Sequence, residues 1–158
     1  GAAKSDMHHL FSTRSDYNSA RGNLPLGEVS QHGWPTTVAG DPECTTRFPG
    51  HDEGCFSMKG RDEAGVDVFE PRDAQKGNAA RAIFYFAIRY GESCARPKSL
   101  RDFDPTHADV TEDVLKRWNS LDAPDEHEQR RNERVEGVQG VRNPFIDHPE
   151  LVERISFQ

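Results

Sequence analysis

The feature that most constrains this fold is one long apolar helix. The stretch from Asp73 to Tyr90 contains the sequence NAARAIFYFAIRY, with apolar residues on most sides of the predicted helix. A helix that is apolar nearly all round normally lies at the centre of a domain, because other elements must cover every face. The apolar residues at helical spacing are Ala80, Ile83, Phe84, Ala87 and Ile88. We therefore expect the rest of the chain to pack around this helix.

Three further helices are predicted after the central one. Thr111 is a suitable N-cap for the first, and acidic residues follow it in the first turn, where the helix dipole favours them. Its predicted inner stripe consists of Leu115, Trp118 and Leu121. A highly charged helix is predicted from Glu126 to Val138, and a short helix after Pro149.

Shorter elements are predicted in the first half of the chain. Met7 to Phe11 reads as a short strand, and Asp16 to Asn23 as a short helix that stops at Gly22. Leu24 to Gly65 is rich in Gly, Pro, Thr and Asp, which predicts a long loop. Val66 to Phe69 alternates as a strand does. The predicted fold class is α+β, mostly α-helical, with a few short strands and long loops.

The composition indicates a single domain over residues 1–158 with a small core. Hydrophobic residues make up 34% of the chain, which is a low fraction for a globular domain, and charged residues make up 30%. No apolar run is long enough to span a membrane. The net charge of −7 argues against a nucleic-acid partner. Basic residues nevertheless cluster in two segments, so the sequence still allows a locally basic surface that could bind nucleic acid.

The cysteines Cys44, Cys55 and Cys94 allow two interpretations. Cys44 and Cys55 flank a Gly/Pro-rich stretch at a spacing that a disulfide can close, which leaves Cys94 over. A zinc site with nearby histidines is the alternative, although the paired C-x-x-C spacing typical of zinc is absent. The disulfide is the prediction we keep.

The segment from Ser5 to Asn23 holds the side-chain types that phosphodiester hydrolysis requires. The reaction needs an activated water, a cation on the scissile phosphate and stabilisation of the charge that develops. A neutral imidazole supplies a base near pH 7, oxygen ligands hold a hard cation, and arginine neutralises extra negative charge. The residues of these types are Asp6, His8, His9, Asn18, Arg21 and Asn23.

Four segments, in order, resemble the bacterial endonuclease I family within the His-Me finger, or ββα-metal, nucleases. They are SDMHHL, NSARGN, FEPRDAQKGNAARAIFYFAIRY and RRNERVEGVQGVRNPFIDHPEL, and together they span nearly the whole chain. The resemblance implies a nonspecific endonuclease that cuts DNA and often RNA, uses Mg²⁺ or another divalent cation such as Ca²⁺ or Mn²⁺, and contains part of a ββα-metal finger. It also implies a secreted or periplasmic protein.

The resemblance assigns roles within the opening segment. Asn18 matches the metal-binding asparagine of the finger helix, and Arg21 and Asn23 match positions near the site, where bracing the turn is the alternative role. His8 matches a histidine beside the site, and His9 stands where relatives can have asparagine. Both histidines are catalytic candidates, with a hydrogen-bonded supporting role as the alternative for each.

One part of the family pattern is not found in this sequence. The general base and a carboxylate ligand of the family come from a Glu-His-x-x-Pro type motif on the finger's first strand, upstream of the segment that matches SDMHHL. We expect that strand to come from a second chain or from an N-terminal segment not seen here, or the base to have moved to His8 or His9. The strand predicted at Met7 to Phe11 then needs a pairing partner, and we expect the 158 residues alone to be nearly inactive.

The later matching segments supply candidate contacts to nucleic acid. In the alternative interpretation these residues pack or are solvated, and Arg81 forms a buried ion pair. The candidates are Lys76 and Arg81 on the central helix, and Arg130, Arg131, Gln139 and Asn143 in the last matching segment.

Two other functional classes stay open at the level of sequence. One is a noncatalytic nucleic-acid-binding relative or inactive fragment of such a nuclease, which the unmatched first strand favours. The other is a secreted, disulfide-linked interaction domain without a nucleic-acid role, which the net charge favours.

Overall fold

The computed structural model of the chain describes residues 2–12, 15–35, 55–90 and 112–156. Helices dominate these ranges, so the predicted mostly helical α+β class is confirmed. In chain order the elements are α1 (Ala2–Ser5), a 3-10 helix (Met7–His9), α2 (Ser15–Arg21), β1 (Gln31–Pro35), β2 (Met58–Arg61), β3 (Asp67–Glu70), α3 (Asp73–Tyr90), α4 (Glu112–Leu121), α5 (Glu126–Gln139), α6 (Pro144–Asp147) and a second 3-10 helix (Pro149–Arg154).

Helix α3 lies at the centre of the fold, with the bounds that the sequence predicts. Four elements pack against it, namely helices α4 and α6 and the two 3-10 helices. Ala80 and Phe84 are fully buried, whereas Ile88 is exposed and does not join the core. The main cluster of buried core residues is Ala80, Phe84, Tyr85, Tyr90, Val114, Leu115, Trp118, Phe145 and Val152.

The two long helices after α3 follow the predicted pattern except near their C-termini. In α4, Leu115 and Trp118 are buried as predicted, but Leu121 is 41% exposed, so its place in the inner stripe is wrong. In α5, Val135 is buried and Val138 is 75% exposed. The predicted cap Thr111 lies outside the described residues. The apolar stripe of each helix therefore ends one turn before the helix does.

Helix ends use the expected capping chemistry. Helix α5 starts after Asp125, whose carboxylate accepts from the Glu128 backbone N–H at 2.8 Å, and ends at Gly140 with φ 71°. Gly22, with φ 56°, follows α2 as predicted. Helix α6 was not predicted. It is a single turn, and Asn143 caps it by accepting from the Phe145 backbone N–H at 3.0 Å.

A three-stranded antiparallel sheet of order β1-β2-β3 precedes α3. Strands β1 and β2 lie inside Leu24 to Gly65, so the prediction of one long loop there is wrong. Within β2, only Gly60 is buried, and without alternating apolar side chains the sequence gives little strand signal. Its backbone pairing identifies it instead, with Met58 opposite Glu70 and Arg61 opposite Asp67.

The strand predicted at Met7 to Phe11 is also wrong. Asp6 accepts a hydrogen bond from the His8 backbone N–H at 2.9 Å and caps the 3-10 helix Met7–His9 instead. Among the described residues, it is side chains of α5 and not a neighbouring strand that bind the local backbone. The Met7 N–H donates to Gln139 at 2.7 Å, and the Leu10 carbonyl accepts from Arg131 at 2.7 Å. These backbone groups therefore do not require a strand from another segment or a second chain.

The remaining fold predictions have mixed outcomes. Cys55 is buried and disulfide-bonded. Cys44 and Cys94 lie outside the described residues, so the pairing of Cys44 with Cys55 stays a prediction, as does the single domain over 1–158. Within the described ranges, no helix has the length and apolar character needed to cross a membrane.

Candidate functional site

The centre of the opening segment is the carboxylate of Asp6, which is 1% exposed. Its Oδ2 accepts hydrogen bonds from the hydroxyls of Tyr85 at 2.8 Å and Tyr90 at 2.6 Å. Its Oδ1 accepts from the His8 backbone at 2.9 Å and from Gln139 at 3.4 Å. Burial opposes ionisation, but these hydrogen bonds outweigh it and hold the pKa of Asp6 at about 2. Asp6 is thus an ionised structural anchor and not a free carboxylate ligand.

His8 is 1% exposed and its ring is held on both sides. The ring lies 4.8 Å from the Tyr85 ring, measured between centroids. Its Nε2 lies 2.7 Å from the Val141 carbonyl oxygen. A carbonyl oxygen only accepts, so Nε2 must carry the proton. The opposite nitrogen, Nδ1, is buried and has no hydrogen-bond partner within the described residues. This geometry contradicts a role for His8 as the general base, because neither nitrogen is accessible to a water on a substrate.

His9 is half-buried and differs from its neighbour. Its ring makes an edge contact with Phe86 at 4.8 Å between centroids. Burial lowers the pKa of His9, and nearby Asp6 opposes that effect in part. The imidazole is therefore biased toward its neutral form, which is the form a base requires. Nδ1 is buried, so a chemical role would fall to Nε2.

Arg131 holds the backbone on both sides of His9. Its guanidinium donates to the Met7 and Leu10 carbonyl oxygens and lies 4.9 Å from the centre of the Phe11 ring. Arg131 Nη2 makes both backbone contacts, so this part of the side chain is a structural contact and not the nucleic-acid contact that the sequence predicts. The same holds for Gln139, whose side chain is bonded to the Met7 N–H and to Asp6.

Helix α2 presents the predicted metal ligand to solvent. Asn18 and Arg21 are both exposed and lie three residues apart, hence on one side of the helix. Asn23 is exposed just after the helix. In contrast to Asp6 and His8, these side chains are placed where a substrate or a cation can reach them.

The donor set fits a divalent cation only in part. The exposed amide oxygen of Asn18 is a suitable hard ligand. The described ranges contain no group of three or more His, Cys, Asp or Glu side chains able to hold a metal. Mg²⁺ commonly keeps several waters and takes few protein ligands beside substrate phosphates, so one amide ligand on an exposed helix is compatible with it.

Arg81 is fully buried and is a structural residue. It forms a two-pronged ion pair with Glu128, with Nε–Oε1 at 2.9 Å and Nη2–Oε2 at 2.5 Å. Its Nη1 donates to Asn119 at 3.0 Å and to the Asp122 carbonyl at 2.8 Å, and Nη2 also donates to Asn78. The prediction of a phosphate contact is therefore wrong, and the buried ion pair considered as the alternative is what the structure contains.

The other predicted nucleic-acid contacts have different surroundings. Lys76 is buried and paired with Glu70 at 2.6 Å and Asp73 at 2.7 Å. Burial opposes its charge, but the two carboxylates outweigh burial and raise its pKa. Asn143 is 1% exposed and caps α6, so neither residue is placed to contact phosphate. Arg130 is exposed and paired with Glu126, which leaves it as the candidate contact on α5.

Sequence reasoning missed the residues that hold the opening segment. Tyr85 and Tyr90 lie in the apolar run of α3, where aromatic residues normally indicate core packing alone. The available signal is their hydroxyl group, because a buried tyrosine usually has a hydrogen-bond partner. Asp6 is the partner for both.

Comparisons with known proteins identify the family to which the chain belongs. A profile of the Endonuclease I family matches residues 1–150. The chain is 34% identical over 157 residues to proteins described as "Extracellular ribonuclease" from Bacillus subtilis (strain 168) and Bacillus amyloliquefaciens, covering 95% of this chain. It spans 46% of the length of each, about half. No solved structure matches it. By the extent of the profile match, the chain belongs to the Endonuclease I family.

Proposed function

We propose that this chain is a divalent-metal-dependent endonuclease that hydrolyses phosphodiester bonds in RNA and DNA without sequence preference. The observation that carries the proposal is membership of the Endonuclease I family across residues 1–150. The two Bacillus relatives, described as extracellular ribonucleases, favour RNA as a substrate and secretion as the destination. Disulfide-bonded Cys55 is also typical of an exported protein.

In the proposed site, α2 supplies the groups that meet the substrate. The Asn18 amide oxygen binds the cation, and the Arg21 guanidinium on the same side of the helix binds the phosphate and stabilises its extra charge. When bound, Mg²⁺ or a similar cation supplies a Lewis acid for the phosphate oxygens. The exposure of both side chains supports these roles.

The general base has two candidate sources. His9 is the candidate within the described residues, supported by partial exposure and by a pKa that burial lowers. A histidine upstream of this segment is the other, as the family pattern implies. His8 is assigned a supporting role, in line with its hydrogen bond to the Val141 carbonyl.

The proposal is tested by cleavage of labelled RNA and supercoiled plasmid at high protein concentration. We expect slow cleavage with Mg²⁺ or Mn²⁺, a product smear without discrete fragments, and no cleavage with a chelator. Equal rates with and without chelator, or discrete fragments, would contradict it. His9→Ala separates the two sources of the base: a complete loss of cutting assigns the base to His9.

A second candidate function is nucleic-acid binding without catalysis. It is favoured by the engagement of Asp6 and His8 in internal hydrogen bonds, which removes two of the acid–base groups of the opening segment. Retention of RNA on a gel shift, with no cleavage under any metal condition, would establish this function in place of the first.

A further inference from the structure

The opening segment is held by side chains from two helices. We name these contacts the N-terminal clamp: Tyr85 and Tyr90 from α3 bind the Asp6 carboxylate, and Arg131 and Gln139 from α5 bind the backbone at Met7 and Leu10.

We propose that Arg131 is a positioning residue of this site: through the Met7 and Leu10 carbonyls it fixes the turn that carries His9. The proposal rests on the proposed function for its kinetic part, since His9 is placed there at the nuclease site. Its structural part, the control of the His9 ring by Arg131, stands separately.

The contacts of Arg131 bracket His9 in the chain. Met7 precedes His9 by two residues and Leu10 follows it by one, and the two carbonyl oxygens converge on the same guanidinium. The Phe11 ring covers that guanidinium at 4.9 Å. A single nitrogen, Nη2, thus joins both ends of the turn, and the Phe11 ring beside it limits where the planar guanidinium can lie.

Arg131 adds to the weak support that the turn has by itself, which is a 3.4 Å hydrogen bond from the Leu10 N–H to the Met7 carbonyl. The Met7–His9 helix is three residues long, and such a short helix gains little from its own hydrogen bonds. Its cap, Asp6, fixes the start, and Arg131 fixes the end. Without the guanidinium, the Leu10 carbonyl loses its described partner and the position of the His9 ring against Phe86 is no longer defined.

Misplacement of a reacting group by about 1 Å lowers a rate on the order of a hundredfold. A positioning role therefore predicts a loss in kcat with little change in nucleic-acid affinity. A direct phosphate contact predicts the opposite, namely a weaker Kd with a smaller salt dependence.

The test compares Arg131→Ala with Arg130→Ala, two arginines adjacent on one helix, of which Arg130 is paired only with exposed Glu126 in the described contacts. The structural measurement is the His9 ring proton shift in NMR, which the Phe86 ring perturbs. We expect Arg131→Ala to move that signal toward its free-histidine position and to speed amide exchange at Leu10, whose N–H donates to the Met7 carbonyl, while Arg130→Ala changes neither.

The kinetic measurement is single-turnover RNA cleavage, with Kd measured by fluorescence anisotropy in chelator. Arg131→Ala is expected to reduce the cleavage rate on the order of ten- to a hundredfold at unchanged Kd. Arg131→Lys, which keeps a donor of similar reach, is expected to restore part of the rate and of the His9 signal. If circular dichroism shows that Arg131→Ala fails to fold, the same measurements on Arg131→Lys test the positioning role.

Each outcome decides one question. An unchanged His9 signal in Arg131→Ala, or equal weakening of Kd in both alanine variants at an unchanged rate, would overturn the positioning role. A wild-type chain that cuts nothing would overturn His9 as the base and with it the kinetic part of the proposal, whereas the NMR comparison of the two variants still decides the structural part.

Discussion

The hydroxyl of Tyr90 donates a 2.6 Å hydrogen bond to the buried carboxylate of Asp6, 84 residues earlier in the chain. This contact joins the last turn of the central helix to the first residues of the opening segment. Hydrogen bonds from several donors favour the anionic form of a buried carboxylate. The opening segment is therefore attached to the core by a charge, and its attachment must depend on pH.

The first prediction concerns this dependence. The pKa of Asp6 is about 2 in the folded protein, below its ordinary value near 3.8, so ionised Asp6 contributes about 2 kcal/mol to stability above about pH 4. That contribution is lost as the pH falls toward 2. Urea unfolding near neutral pH and at about pH 3 measures it. Asp6→Asn should show a smaller difference between the two conditions than wild type, and an equal difference would contradict the assignment.

The second prediction uses two glycines in helices. A Cβ added at Gly77 would lie 1.9 Å from the Asp122 carbonyl oxygen, whereas at Gly137 nothing lies within 4 Å. Gly77→Ala should therefore destabilise the fold by about 1–3 kcal/mol or more, because α3 must move away from the end of α4. Gly137→Ala should stabilise it by about 0.5–1 kcal/mol through helix propensity. Thermal unfolding of both variants checks the sign of each change.

The third prediction separates a buried arginine from an exposed one. Arg81→Met leaves the Glu128 carboxylate buried without its cation, which should cost about 3–5 kcal/mol. Arg130→Ala breaks an exposed pair with Glu126 and should cost about 0.5 kcal/mol or less. Chemical unfolding gives both values. Similar losses of unfolding free energy in the two variants would contradict a stabilising role for the buried Arg81–Glu128 pair.

The fourth prediction concerns cation binding at α2. Asn18→Ala should remove divalent-metal binding and metal-dependent activity, while stability changes by no more than about 0.5 kcal/mol, because the side chain is exposed. Ser19→Ala, at the next exposed position, is the matched control. Titration of Mn²⁺ followed by its paramagnetic effect on NMR signals measures binding directly. Identical titrations of wild type and Asn18→Ala would mean that the ligand lies elsewhere.

The fifth prediction is the tautomer of His8. The 2.7 Å contact of Nε2 with the Val141 carbonyl requires the proton on Nε2 in the neutral ring. Nitrogen NMR distinguishes the two neutral tautomers, and we expect the Nε2–H form for His8 at neutral pH. An Nδ1–H signal would mean that Nε2 carries no proton and does not donate to the Val141 carbonyl, which would contradict the assigned hydrogen bond.

Local pattern predicted the elements that are long and strongly periodic. Helix α3 was predicted with its observed bounds because eighteen residues of helical pattern leave no other choice. The exposed helix α2 also followed from sequence, whereas the buried ion pair of Arg81 was only the alternative to its predicted phosphate contact. For the helices, the evidence lies in the sequence of the element itself. For Arg81, it lies in the rule that a buried charge needs an opposite charge beside it.

The errors arise where distant residues decide the structure. Met7 to Phe11 contains enough apolar residues for a strand, but Asp6 and Arg131 satisfy its backbone in a tight turn. Strands β1 and β2 are defined by pairing with each other across a long separation, not by alternation. The role of Arg131 was assigned from charge alone, and no local pattern could reveal that two carbonyl oxygens would occupy it.

The buried pair of Arg81 and Glu128 also has a consequence for the order of folding. Arg81 belongs to α3 and Glu128 to α5, and each would be a lone charge in an apolar surrounding if its own helix collapsed first. A compact intermediate with α5 still detached is therefore penalised by several kcal/mol. We therefore expect the central helix and α5 to reach their final places in one cooperative step.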